Sequence, residues 1–164
     1  MNTLPEHVIR TYRNADPLPA EAEEMFRRQL ADSRGLVSVD PTGRRQWGFA
    51  LTCAVTPGGA VLGGVHLDIG PIAGAGPLAD RKLAYLERTL VRPEYRRHGL
   101  ATALLRRAID VAREAGCLYI RCHNNWDNEA ERSLFLACGF ALVDLDGEAD
   151  DQPSYLAVRP LQDG

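Results

Sequence analysis

The 164-residue sequence contains no run of the ~20 apolar residues that a membrane-spanning helix needs. The glycine-rich stretch from Leu62 to Leu78 comes nearest, and His66 and Asp68 interrupt it. Met1 to Arg10 carry Glu6 and His7 and no continuous apolar segment, so a secretory signal is not expected. The expectation is a soluble, cytoplasmic protein with no membrane partner. Basic charge is not in excess either. Lys and Arg number 19 against 22 Asp and Glu, a net charge of -3, whereas a nucleic-acid binder normally leans the other way. Cysteine is sparse. Cys53, Cys117, Cys122 and Cys138 form no Cys-x-x-Cys pair, and no histidine stands at zinc-finger spacing from them. A metal site is therefore not expected, and the thiols read as reduced, buried, small apolar side chains. Internal repeats, linkers and low-complexity tails are missing, so residues 1–164 read as one domain.

What the sequence does have is ordinary globular composition, with 45% hydrophobic and 25% charged residues, at a length that can bury a real core. Strand signals cover His7 to Tyr12, Trp47 to Val55, Ala60 to Ile69, Lys82 to Val91, Cys117 to Cys122, Phe140 to Leu145 and Ser154 to Arg159. Thr56-Pro57-Gly58-Gly59 is turn chemistry between the second and third of these. A first helix is expected over Ala20 to Asp32, stopped at Gly35. The strongest helix runs from Leu100 to Ala115. There Leu100, Leu104, Leu105, Ala108, Ile109 and Ala112 share one stripe, and Gly116 ends it. Asp127 or Asn128 can cap another helix that closes at Gly139. Gly70 to Pro77 and the acidic Asp144 to Asp151 read as loops. The order describes an α/β (α+β) fold: a mixed, mostly antiparallel sheet of six to seven strands flanked by about four helices.

Between the Lys82–Val91 strand and the Leu100 helix lies Arg92-Pro93-Glu94-Tyr95-Arg96-Arg97-His98-Gly99. A helix N-terminus carries unpaired N–H groups and partial positive charge, and so holds anions, phosphates above all. Gly99 lets the backbone approach a ligand closely, Ala101 keeps the next contact small, and Arg96, Arg97 and His98 add positive potential. The Gly-Lys-Ser/Thr ending of a Walker loop is absent, as is Gly-x-Gly-x-x-Gly. The Arg-x-x-Gly-x-Ala pattern of Arg96, Gly99 and Ala101 instead resembles the pyrophosphate motif of the GNAT N-acetyltransferases. Asn128, Phe135, Gly139 and Phe140 are similar to that family's second motif, and Tyr155 to Pro160 to its last strand. The resemblance covers Lys82 to Leu161, about half of the chain. The N-terminal half fits in element order only.

The resemblance implies a splayed central strand pair that receives acetyl-CoA. Leu90 and Val91 would pair with the pantetheine arm through their backbone. The backbone of Arg97, His98, Gly99, Leu100, Ala101 and Thr102, supported by Arg96, would hold the pyrophosphate. Asn128 would touch the cofactor, and Phe135 would stand beside it. It further implies direct attack by a primary amine of a small molecule or peptide on the thioester, with a homodimer left open.

Two proton tasks follow from the chemistry. An alkylamine with a pKa near ~10.4 must lose a proton, and a thiol with a pKa near ~8.5 leaves more easily with one supplied. Glu87, nine positions before Arg96, is the candidate base, as in similar family members. Structural pairing with Arg88 is its plainer alternative, and His66, Asp68 and His123 are further candidates. The family often carries a tyrosine seven positions after the asparagine. Phe135 stands there and cannot donate, which leaves water, Ser133 or another hydroxyl, and makes Phe135 a core residue by default. An acyl-CoA-binding sensor without turnover is the alternative function, and a longer acyl group is a further reading. The acceptor itself carries no motif.

Overall fold

The computed structural model describes residues 3–145 and 153–162. Among the described residues eight strands form one sheet: β1 (Val8–Arg13), β2 (Ser38–Val39), β3 (Arg45–Val55), β4 (Val61–Pro71), β5 (Lys82–Val91), β6 (Cys117–Asn125), β7 (Ala141–Leu145) and β8 (Ser154–Pro160). Their spatial order is β1-β3-β4-β5-β6-β8-β7, with the two-residue β2 added at β3. β5 and β6 run parallel and the other pairs antiparallel. The helices are α1 (Ala20–Met25), α2 (Arg27–Leu36), α3 (Leu100–Glu114) and α4 (Glu129–Ala137). The mixed, mostly antiparallel fold expected from the sequence is the fold observed. Most of the acidic Asp144–Asp151 loop lies outside the described residues.

Two helical layers cover the two faces of the sheet. α3 buries Leu100, Leu104, Leu105, Ala108, Ile109, Val111 and Ala112, the stripe read from its 3.6-residue period plus Val111. These pack against Leu62, Leu67, Leu86 and Ile120. On the opposite face, Phe49, Leu51, Cys53 and Val55 alternate along β3 and meet Ala22, Phe26 and Leu30 of the N-terminal helices. A fully buried Leu or Phe contributes about 1.5–3 kcal/mol, so these two layers fix where β4 and β5 lie.

The first helix departs from expectation. It breaks at Phe26, whose backbone (φ -113°, ψ 21°) ends α1 and starts α2. Phe26 is fully buried, and the break turns its ring toward the core. The expected stop at Gly35 also fails, because Gly35 stays inside α2 and the helix ends one residue later. A single glycine costs a helix only about 1 kcal/mol, and packing of the rest of α2 overrides it.

The feature that shapes the site is the divergence of β5 and β6. They pair only from Lys82 with Cys117 to Tyr85 with Arg121, although both strands continue. Past Tyr85, β5 stays bonded to β4 as far as Val91 opposite Gly63. Its other edge from Leu86 to Val91 therefore has backbone groups that no strand satisfies. The β4–β5 ladder also slips once: His66 faces Arg88 and Leu67 faces Leu86, leaving Glu87 as the bulged residue. Bulges re-aim side chains, and here the re-aimed one is a carboxyl.

Candidate functional site

The open edge of β5 faces a cleft of about 710 Å³. Thr89, Leu90 and Val91 form one wall, the turn from Tyr95 to Gly99 and the first turn of α3 form its end, and α4 from Asn128 forms the other wall. At that end Pro93–Tyr95 make a 3₁₀ turn, and the Arg96 Nε–H donates to the Val91 carbonyl at 3.0 Å, tying the turn to the strand. Arg97 has φ 65°, the one positive value at a non-glycine among the described residues. Gly99 follows at φ 75° as the N-cap of α3, a left-handed conformation that glycine adopts without strain. No side chain caps this end, and its first turn holds no acidic residue. The first bond there runs from the Ala103 N–H to the Gly99 carbonyl at 3.1 Å. Among the described residues, the N–H groups of Leu100, Ala101 and Thr102 meet no protein acceptor, as an anion-binding helix start requires.

The sequence-derived residues therefore divide. Leu90, Val91, Arg96, Arg97, Gly99, Leu100, Ala101, Thr102 and Asn128 come together around the cleft. His98 is exposed and does not line it. Phe135 does not line it either. Its side chain is fully buried, with the Phe140 ring at 5.1 Å and the Tyr155 ring at 6.5 Å, because the inward face of α4 points into the core. The expectation of Phe135 beside the cofactor is thus corrected to its default reading as a core residue. Asn128 lines the cleft while capping α4. Its Oδ1 accepts from the Glu131 N–H at 3.1 Å, and its Nδ2 donates to Glu131 Oε2 at 2.9 Å. Asn124 donates to the same carboxyl.

Glu87 opens instead into a neighbouring hollow of about 490 Å³, together with Asp68, Tyr85, Trp47 and Arg121. Glu87 is exposed at its outer side, and partial desolvation of its carboxyl pushes it up to about 7, reinforced by a hydrogen bond to Asp68, the charge of Asp68 and the charge of Asp32. Asp68 is itself buried and accepts from the Ser33 hydroxyl at 2.5 Å. Ser33 Oγ also stands 3.3 Å from His66 Nε2. His66 is enclosed between the Phe26 and Phe49 rings, and burial pushes it down to about 4 against the opposing charge of Asp68. It is neutral at pH 7 and sealed from both hollows. His123, another candidate base, lies on β6 and bonds Ser154 at 3.0 Å, outside both hollows. Arg121 holds its guanidinium 5.3 Å from the Tyr85 ring centroid.

Sequence reading missed Ser33, Trp47, Thr89 and Arg121. The register of β3, β4, β5 and β6 brings Trp47, Thr89 and Arg121 here, the packing of α2 on the sheet brings Ser33, and nothing local marks any of them. The four cysteines are free and buried, and burial raises every thiol, Cys53 and Cys122 to about 12. None supplies a thiolate nucleophile at neutral pH. Among the described residues no three potential metal ligands cluster, and no helix is long and apolar enough to cross a membrane.

The arrangement can hold a diphosphate at one end, amide groups along a strand edge, and a proton acceptor near neutrality beside them. The fit to a pantetheine-linked nucleotide rests on the unfilled strand edge and helix start.

Comparison with known proteins meets that geometry. The model of the "Acetyltransferase (GNAT) family" matches residues 9–140. The chain is 36% identical over 94 residues to aminoglycoside N(6')-acetyltransferase type 1 of Klebsiella aerogenes. That stretch is 57% of this chain and 60% of the relative, so the chain spans less than two thirds of the relative's length. Among solved structures it resembles the GNAT family N-acetyltransferase YhbS from Escherichia coli in complex with CoA, with TM-score 0.65 and 18% identity over 99% of this chain and 85% of that one. It also resembles NAA60 of Arabidopsis thaliana in complex with acetyl-CoA, with TM-score 0.59 and 16% identity over 93% of this chain and 99% of that one. At those identities the likeness is one of fold. With the family model matched across most of its length, the strand-turn-helix site included, the chain belongs to the acetyltransferase (GNAT) family.

Proposed function

We propose that this protein is an N-acetyltransferase that moves an acetyl group from acetyl-CoA to a primary amine of a small molecule or peptide. The observation that carries the reading is geometric: the open edge of β5 runs into the uncapped start of α3 along one cleft, and Glu87, its carboxyl raised to about 7, stands on that same strand. A general base works best with a pKa near the operating pH.

Coenzyme A, when bound, supplies the acetyl group as an activated thioester. The protein's own residues then have separate tasks. The N–H groups of Leu100, Ala101 and Thr102, with Arg97 beside them, hold the diphosphate. The free edge at Leu90 and Val91 bonds amides, as strand edges do with extended ligands. Glu87, in the hollow with Tyr85 and Trp47, accepts the proton that the acceptor nitrogen must shed. Asp68, fixed by Ser33, keeps that carboxyl high enough to receive a proton and hand it on to water. Direct attack within a ternary complex suits hollows that no cysteine lines. Four buried free thiols are compatible with a cytoplasmic, reducing setting.

The name of the Klebsiella relative makes aminoglycosides a first acceptor class to try. The test is a panel of aminoglycosides, polyamines, amino acids and peptides with acetyl-CoA, monitored by release of free thiol. Amine-dependent release is expected, and Glu87→Gln should suppress it. Tight CoA binding with no release for any amine would overturn the enzyme reading in favour of a binding module.

A further inference from the structure

Thr89 is the unexplained residue of the cleft. Its Oγ1 is buried and has no hydrogen-bond partner within the protein. A buried hydroxyl left unpaired costs about 1–3 kcal/mol, so native folds keep few of them, and each one needs a reason. Here the hydroxyl belongs to a residue that lines the 710 Å³ cleft, on the edge of β5 that β6 has left open. It lies two residues beyond Glu87, just past the bulge in the β4–β5 ladder.

We propose that the Thr89 hydroxyl donates a hydrogen bond to the sulfur of the bound thioester and, after transfer, to the CoA thiolate. The inference rests on the acetyl-CoA reading above. Three observations single out Thr89 from the other hydroxyls of the cleft. Tyr95 and Thr102 belong to the 3₁₀ turn and to the first turn of α3, the phosphate end. Ser133 is exposed, so water satisfies it. Phe135 offers no hydroxyl and is sealed in the core. Among these hydroxyls only that of Thr89 is itself buried and near in sequence to the residue that must stand beside the reacting carbon.

The chemistry suits a donor rather than an acid. As the C–N bond forms, the C–S bond breaks and its electron pair goes to sulfur. A thiol of pKa near ~8.5 departs as a thiolate without full protonation, and a hydrogen bond to the developing charge lowers the barrier. The threonine proton stays on its oxygen, and the thiolate later takes a proton from water.

The direct test is calorimetric and needs no turnover. CoA and desulfo-CoA, which lacks the sulfur, are titrated into wild type, Thr89→Val and Thr89→Ser near pH 9, where the CoA thiol is mostly ionised. Wild type should prefer CoA over desulfo-CoA by about ten- to hundred-fold, the range for a hydrogen bond to a charged group. Thr89→Val should erase that preference and Thr89→Ser should keep most of it. Valine suits a strand and removes an orphaned group, so the apo Thr89→Val protein should melt at or above the wild-type temperature. An unchanged preference in Thr89→Val, or equal weakening of both ligands, would overturn the sulfur assignment while CoA binding stands. Wild type that binds neither ligand would overturn the acetyl-CoA reading itself.

Discussion

The carboxyl of Glu87 meets that of Asp68 where the β4–β5 ladder slips, and both open into the same hollow. Asp68 cannot turn away, because it is buried and held by Ser33. The charge of Asp68 therefore disfavours ionisation of Glu87.

The first prediction concerns activity against pH. Glu87 serves as a base only when ionised, so kcat/KM should rise with pH through a midpoint about 7. Asp68→Asn removes the neighbouring charge but leaves partial desolvation, so the midpoint should fall below 7 without reaching the ordinary value of 4.5. Glu87→Gln should lower kcat about 10²- to 10⁴-fold. A pH profile unmoved by Asp68→Asn contradicts the coupling.

The second concerns stability. The folded pKa of Glu87, about 7, exceeds the ordinary 4.5, so its contribution is present below 4.5 and lost as pH rises through 7. The folded pKa of His66, about 4, lies under the ordinary 6.5, so its contribution is present above 6.5 and lost as pH falls toward 4. The two oppose each other between 4.5 and 6.5. In Glu87→Gln the Glu87 contribution is gone, and the His66 loss is no longer offset by it. Its Tm should therefore fall more steeply than that of wild type as pH drops from 6.5 to 4, measured by thermal melts across that range.

Much of the cofactor end is legible in the sequence because it is local. A β-rich run, Pro93, Gly99 and the stripe from Leu100 to Ala112 each act within a few residues. The strand, the turn and the anion-binding helix start follow from them in order. Asn128 as a cap is equally local. The acceptor side is not legible, because Asp68, Glu87 and Arg121 are brought together by strand register and one bulge, and Ser33 reaches them from α2. The break at Phe26 is tertiary too, since what decides it is the burial of a ring next to His66. Phe135 shows the converse limit: a motif position can be matched while the side chain there faces the core.

Phe135→Tyr makes that last point testable. The added hydroxyl would enter a packed region between Phe140 and Tyr155 rather than the cleft. A buried unpaired hydroxyl costs about 1–3 kcal/mol, so Tm should fall by several degrees, with no gain in kcat. A rise in kcat would mean that the ring reaches the cleft.

Gly63→Ala probes the strand that carries the open edge. A Cβ at Gly63 would stand 2.6 Å from the Leu90 carbonyl oxygen and 3.0 Å from the Val91 Cα. Backbone cannot move aside cheaply, so the variant should lose about 1–3 kcal/mol of stability and bind CoA more weakly. Urea unfolding and a CoA titration check the two effects together.

The start of α3 is where the account is most exposed to test. Calorimetric titration of the purified protein with CoA should give saturable one-to-one binding. Gly99→Val, which forces a β-branched residue to φ 75°, should weaken it at least tenfold. Wild-type protein that gives no saturable binding, or Gly99→Val protein that binds as tightly as wild type, would contradict a diphosphate held by the amides of Leu100, Ala101 and Thr102.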